Sequence, residues 1–354
     1  MQYVSTRDSS HQVSLSRALL DGLAPDGGLY VPEEFPRADL EQFDASSHIR
    51  IIARTLLDPF FEGDQLHREL EDICDETFTF PIPLRDLGDG TSVLELFHGP
   101  TAAFKDVGAR FLASALSRLN RDADRPTTIL VATSGDTGSA VASAFYEKPN
   151  VEVVVLYPKG RVSPRQEKQL TCWGQNVWTY AVEGDFDDCQ RLVKEAFADE
   201  EWRDDHRLSS ANSINVGRLL PQMTYYAAAS LWHVRRTGAE PNFIVPSGNL
   251  GNVLACLYTR EMGLPIGEVV LATNENKAVT EFLRTGEWQA FETVETLANA
   301  MDVGDPSNME RIRHHWPDVE TLRETISAYT VGDDEIVEQI RSGPDPWGEV
   351  WAPH

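Results

Sequence analysis

The sequence predicts an α/β fold with parallel sheets, set behind a small α+β lead-in. Three observations carry that expectation: short apolar runs rich in β-branched residues, helical runs between them, and loops carrying Gly, Ser, Asn or Asp where strand gives way to helix. The strand runs are TILVA at 128–132, VEVVVLY at 151–157, NVWTYAV at 176–182, NFIVP at 242–246 and EVVLAT at 268–273. Each is apolar enough to be buried on both faces. Each crossover carries a helix, so neighbouring strands are expected to run parallel.

Taken in order, residues 1–90 mix short elements: the turn-rich APDGG at 24–28, an amphipathic run from Ser46 to Phe60, and the Pro-punctuated FTFPIPLRDLGDG. These are expected to form one α+β domain, with the regular βα pattern filling 91–354. In the first helix of that pattern Val107, Phe111, Leu112, Ala115, Leu116 and Leu119 recur on one face. Asp185 is placed to cap DFDDCQRLVKEAF, with acidic residues in its first turn. No internal repeat, low-complexity segment or Gly/Ser linker divides the chain.

Composition narrows the function. The 354 residues are 41% hydrophobic, enough for a buried core, and 56 acidic against 31 basic residues leave a formal charge of −25. That surface repels nucleic acid and acidic lipid, and no basic patch offsets it. Cys74, Cys172, Cys189 and Cys256 form no CxxC pair and have no His-rich companions, so neither a metal site nor a disulfide framework is expected. With no signal-peptide pattern and no apolar run near the ~20 residues that span a bilayer, a cytoplasmic protein is expected.

Ligands of open α/β sheets bind where strands end and helices begin, because helix N-termini present unpaired N–H groups. Three such junctions are loaded with small polar residues: ATSGDTGSA at 132–140, NSINVGRLL at 212–220 and PSGNLGN at 246–252. Gly248 and Gly251 suit the last to a phosphate cradle, while any one of these loops alone reads equally well as a plain βα turn. None is a dinucleotide or Walker A fingerprint. A fourth feature, LELFHGPTAAFKDVGARF at 94–111, places Lys105 just before a helix. Desolvation there would lower its pKa toward the free amine that condensation with a carbonyl requires. On spacing alone, a surface lysine or one paired with Asp106 is the stronger reading.

The blocks LFHGPTAAFKD, ATSGDTGSA, PKGRVSPRQEKQL, NSINVGRLLPQ, VPSGNLGN and AMDVGDPSNMERI, with LAPDGGLYVPE near the N-terminus, resemble successive signature blocks of the threonine synthase family, in family order over nearly the whole chain. The resemblance implies a fold-type-II, tryptophan synthase β-like enzyme with three-layer parallel sheets and pyridoxal phosphate (PLP) between two α/β subdomains. It makes Lys105 the Schiff-base lysine and Gly248, Asn249, Leu250, Gly251 and Asn252 the cofactor phosphate loop. Thr133, Ser134, Asp136 and Thr137 would bind the amino-acid carboxylate or lie beside the ring, with Asn212, Ser213 and Arg218 as further candidates. The implied reaction converts O-phospho-L-homoserine and water to L-threonine and phosphate by γ-elimination and β-hydration. Lys105 would serve as proton carrier and Arg218, Lys168 and Arg165 as cations for the substrate phosphate.

Two competing readings accompany this one: a phospho-lyase on the same scaffold that releases 2-oxobutyrate, and a non-catalytic homologue. The chain ends at EVWAPH, where family members usually continue for several dozen residues, often beginning with a threonine that bonds the pyridine nitrogen. A C-terminally shortened chain is therefore expected, with cofactor binding retained and turnover reduced. The partners expected are one small-molecule substrate and, at most, a second copy in a homodimer.

Overall fold

The computed structural model describes residues 1–44 and 47–354, so Ser46, where the amphipathic run was expected to begin, lies outside the described residues. Two compact units emerge: Met1–Pro83 with Glu95–Tyr225, and Leu84–Leu94 with Tyr226–His354.

The first unit opens with β1 (Tyr3–Ser5), β2 (Gln12–Val13), α1 (Leu15–Asp21) and β3 (Tyr30–Pro32), whose strands pair antiparallel in the order β2-β1-β3. Helices α2 (Ile49–Phe61) and α3 (Leu70–Thr77) follow. Ile49, Ile52, Ala53, Leu56, Leu57, Phe60 and Phe61 are buried along α2, the helical spacing read from the sequence. Next in the chain, β4 (Leu84–Gly88) and β5 (Thr91–Leu94) form an antiparallel hairpin that belongs to the second unit.

Returning to the first unit, α4 (Lys105–Leu119) leads into β6 (Thr127–Ala132), α5 (Asp136–Phe145), β7 (Val151–Pro158), α6 (Pro164–Thr171), β8 (Val177–Val182), α7 (Phe186–Ala198), α8 (Glu200–Asp205) and β9 (Leu208–Ser209). The four strands are all parallel, in the order β8-β7-β6-β9. Side chains alternate across this sheet: Val154 and Leu156 pack with Leu130, Ala132 and Cys189 toward α7, while Val155 meets α5 at Gly138. Asp185 caps α7 by accepting from the Asp188 amide, as its position in the sequence suggested. Helix α4 departs from the one-faced expectation. Apart from the half-buried Arg110 it is buried from Asp106 to Leu116, whereas Leu119 is only half-buried, because α1, α3 and α5 all pack against it.

The long α9 (Val216–Thr237) passes from the first unit to the second. Beyond it come β10 (Phe243–Pro246), α10 (Gly251–Glu261), β11 (Val269–Thr273), α11 (Ala278–Thr285), α12 (Met309–His315), α13 (Val319–Thr325), β12 (Ser327–Thr330), α14 (Asp333–Ser342) and α15 (Pro344–Trp347). Strands β10, β11 and β12 form a parallel sheet in that order. One face, with Val245, Val269 and Leu271, is buried; on the other, Ile244 is 73% and Tyr329 64% exposed. Among the described residues no helix is long and apolar enough to cross a membrane, and no His/Cys/Asp/Glu group could hold a metal ion.

Candidate active site

In the first unit the strand order reverses at β6, which has β7 on one side and β9 on the other. Crevices at such reversals, beyond the carboxyl ends of the strands, are where open α/β sheets bind ligands. The loop leaving β6 carries Thr133, Ser134, Asp136 and Thr137, and the loop leaving β9 carries Asn212 and Ser213. Thr133 is buried and turned inward, its Oγ1 accepting from the amides of Gly135 (2.9 Å) and Gly138 (2.8 Å). It shapes the turn. Gly135 sits at φ +138°, and a Cβ there would lie 2.5 Å from the Gln166 side chain, so the turn requires glycine. Among the described residues the half-buried hydroxyls of Ser134 and Thr137 have no hydrogen-bond partner, leaving them available to a ligand.

Lys105 stands at the start of α4, its side chain 16% exposed, with Nζ 4.6 Å from the centroid of the Phe104 ring. The sequence alone favoured a surface lysine or one paired with Asp106; the structure corrects both. Asp106 is committed to the preceding loop, accepting from the Thr101 amide (3.0 Å) and hydroxyl (2.7 Å), and the carboxylate facing the amine is Asp136, 3.7 Å away. Burial pushes the Lys105 ammonium below its ordinary value; Asp136 opposes that shift and the nearby Arg218 charge adds to it. Asp136 is itself held by Gln166, whose Nε2 donates to Oδ1 at 3.0 Å. Gln166 also closes the capping box of α6 with Ser163.

Gln166 is thus a site residue that sequence reasoning missed, although the Ser-x-x-Gln pattern at 163–166 signals its cap. Lys168 and Arg165, on the same helix, are exposed and do not join the Lys105–Asp136–Gln166 network. Arg218 is 3% exposed, donates to the Ala211 and Lys105 carbonyls, and has a buried Nε with no partner. Among the described residues it forms no ion pair, and burial draws its pKa down to about 10. The Asn212 Oδ1 is likewise buried without a partner.

In the second unit, loop 246–252 joins β10 to α10. Gly248 lies against loop 298–302, where an added Cβ would fall 2.7 Å from the Met301 Cα and 2.9 Å from its carbonyl oxygen. Leu250 takes a left-handed conformation, φ +62°, and heads α10 with no side-chain cap. The Leu254 amide donates to the Leu250 carbonyl at 2.9 Å, closing the first turn of the helix. Asn249 is gripped twice: Oδ1 accepts from the Ser307 amide (2.6 Å) and its carbonyl from Asn308 Nδ2 (2.9 Å). Asn252 accepts from the Tyr226 hydroxyl at 2.9 Å.

Loop 298–302 is braced in turn by Asp302, whose carboxylate accepts from the Thr296 amide and hydroxyl and from Asn274 Nδ2 at 2.7 Å. Asn274, Asn276, Asp302 and Asn308 are further residues the sequence reading left without a role, although AMDVGDPSNMERI was singled out as a block.

Each half suits what PLP needs. An amine buried at a helix start, more than hydrogen-bond distance from its nearest carboxylate, fits the aldehyde; an uncapped helix start, kept close-packed by Gly248 and by the turn at Leu250, fits the phosphate.

Comparison with known proteins points to the same cofactor. Residues 85–342 match the model for "Pyridoxal-phosphate dependent enzyme", and residues 2–78 the model for "Threonine synthase N terminus". Threonine synthase of Escherichia coli is 44% identical over 323 residues, 90% of this chain and 73% of that one, and the Haemophilus influenzae protein is equally similar, at 44% over 90% and 73%. The crystal structure of the Escherichia coli enzyme superposes with a TM-score of 0.91 at 38% identity, covering 100% of this chain and 82% of that one. The PLP-bound threonine synthase of Brucella melitensis gives 0.92 at 35%, covering 100% and 83%. A fold-type-II scaffold, a PLP-dependent site and relatedness along nine-tenths of its length together make this chain a member of the threonine synthase family.

Proposed function

We propose that this lyase acts on O-phospho-L-homoserine, releasing inorganic phosphate and adding water to give L-threonine. The observation that carries the reading is the buried Lys105 amine, facing Asp136, at the start of α4. PLP, when bound, supplies the electron sink for carbanion chemistry at the substrate's α-carbon and beyond. Lys105 would hold its aldehyde, and Gly248, Asn249, Leu250, Gly251 and Asn252 its phosphate.

Once the substrate amine takes its place, Lys105 is free to remove the Cα proton and to carry protons at later carbons. Asp136 holds the amine in position and Gln166 fixes Asp136. The uncommitted hydroxyls of Ser134 and Thr137, with Asn212 and Ser213, are the proposed donors to the substrate's carboxylate. Arg218 supplies fixed positive charge beside Lys105, which supports a role toward the substrate phosphate over the exposed Lys168 and Arg165. Four cysteines with free thiols accord with a reducing, cytoplasmic setting, and the enzyme is proposed to work there as a monomer or homodimer.

The test is product analysis. With PLP and phosphohomoserine, equimolar phosphate and threonine are expected. Phosphate accompanied by 2-oxobutyrate would assign the phospho-lyase outcome instead, and no phosphate release from PLP-loaded protein would overturn the proposal.

A further inference from the structure

Beneath loop 246–252 runs a chain of buried amide and guanidinium contacts that no step above uses. Asn308 and Arg311 are both 0% exposed, an environment in which polar side chains persist only when their hydrogen bonds are made. Arg311 Nη1 donates to Asn308 Oδ1 at 2.6 Å. That contact fixes the amide's orientation: its oxygen faces the guanidinium, so its NH2 faces the other way, where it donates to the Asn249 carbonyl at 2.9 Å. The neighbouring Ser307 amide takes the Asn249 side chain at 2.6 Å. Asn249 is therefore held at main chain and side chain by one short segment at the start of α12, and the peptide it shares with Leu250 is the one that enters the left-handed turn.

We propose that Asn308 is a positioning residue for the cofactor phosphate, oriented by Arg311 and acting through the Asn249 carbonyl to aim the amides at the start of α10. The inference rests on the reading of 246–252 as the phosphate loop and extends it to residues that would not touch the ligand. An amide suits position 308 because it presents an acceptor to the guanidinium and a donor to the carbonyl within one planar group, without a charge that titrates.

The variant that separates this role from general support of the fold is Asn308→Asp. Its carboxylate keeps the volume and strengthens the contact with Arg311, but turns an acceptor toward the Asn249 carbonyl. PLP affinity, read by absorbance titration of cofactor-free protein, is expected to fall about ten- to a hundredfold, while the cofactor-free thermal midpoint stays within a few degrees of wild type. Arg311→Lys, which keeps charge but loses the planar fork, is expected to weaken PLP in the same direction. Gly248→Ala is the control for the loop itself. If it weakens PLP while Asn308→Asp leaves affinity unchanged, the positioning role is overturned and the phosphate loop stands; if Gly248→Ala also leaves affinity unchanged, the loop reading fails with it. Collapse of the cofactor-free midpoint in Asn308→Asp would equally overturn the proposal, by making Asn308 a requirement of folding.

Discussion

The surroundings of Lys105 and the surroundings of loop 246–252 solve opposite problems. Around Lys105 the working groups are titratable side chains: an ammonium, the Asp136 carboxylate 3.7 Å from it and a buried guanidinium, with Gln166 adjusting the carboxylate. Around the loop the proposed working groups are main-chain amides, and the side chains that hold them are largely neutral: Asn249, Asn252, Asn274 and Asn308. A proton carrier must change charge, so its neighbours tune a pKa. An anion cradle must not change, so its neighbours fix geometry and leave the field to oriented dipoles. Substitutions in the first region should therefore alter pH dependence and chemistry, and those in the second should alter affinity.

The largest effect is expected at Lys105. Lys105→Ala should lower phosphate release from phosphohomoserine by about 10³-fold or more, since both holding the aldehyde and carrying protons are lost. PLP should still associate non-covalently through its phosphate, and equilibrium dialysis of the variant measures this. Activity near wild type would remove the basis of the comparison. Next, Gly248→Ala forces a methyl group against the Met301 backbone, an overpacking cost of about 1–3 kcal/mol. PLP binding should weaken about tenfold or more while the pH profile of the remaining activity keeps its shape. A displaced profile would mean that the two regions are not separable.

Asp136→Asn should act the other way round. Because the carboxylate raises the Lys105 pKa against the effect of burial, its removal favours the neutral amine, and the midpoint for capture of pyridoxal should move to lower pH. Stopped-flow absorbance across a pH series checks it, and movement to higher pH would reverse the assigned electrostatics.

The smallest effect concerns the support of α10, where the Tyr258 hydroxyl lies 2.9 Å from His315 Nε2 and burial lowers the imidazole pKa from 6.5 to about 3. A depressed folded-state value means that the unfolded chain takes up the proton first. Stability is therefore complete above about 6.5 and lost as pH falls toward about 3. His315→Gln should flatten the acid limb of the unfolding curve in that window, and an unchanged limb would show that another group governs acid sensitivity.

Much of both regions was legible from residue order, for physical reasons. The strands β6, β7, β8, β10 and β11 announced themselves as short runs of apolar, β-branched residues, but the expected burial on both faces holds for β6 and not for β8 or β10, which carry exposed residues. The strands β9 and β12 did not announce themselves. The first is two residues long, and SAYT in the second is exposed or half-buried along its length, so neither needed an apolar run. The lysine and the glycine loops were visible because they sit at strand-to-helix junctions. What holds them was not visible: Asp136 lies far along the chain from Lys105, while the adjacent Asp106 is diverted to Thr101. Asn308 reaches Asn249 through a contact that exists only after folding. Local pattern marks where a ligand goes; the grip on that place is tertiary.

Leu250 carries a kinetic consequence. A leucine in the left-handed region costs about 1–2 kcal/mol, yet the side chain is 2% exposed, and burying a leucine returns about 1.5–3 kcal/mol. The two nearly cancel, so an anchored side chain holds a turn that a glycine would leave free to flip. If this loop takes the cofactor phosphate, as proposed, the peptide planes are set before the anion arrives, and the association rate should follow diffusion and the field of the site rather than a rearrangement of the chain.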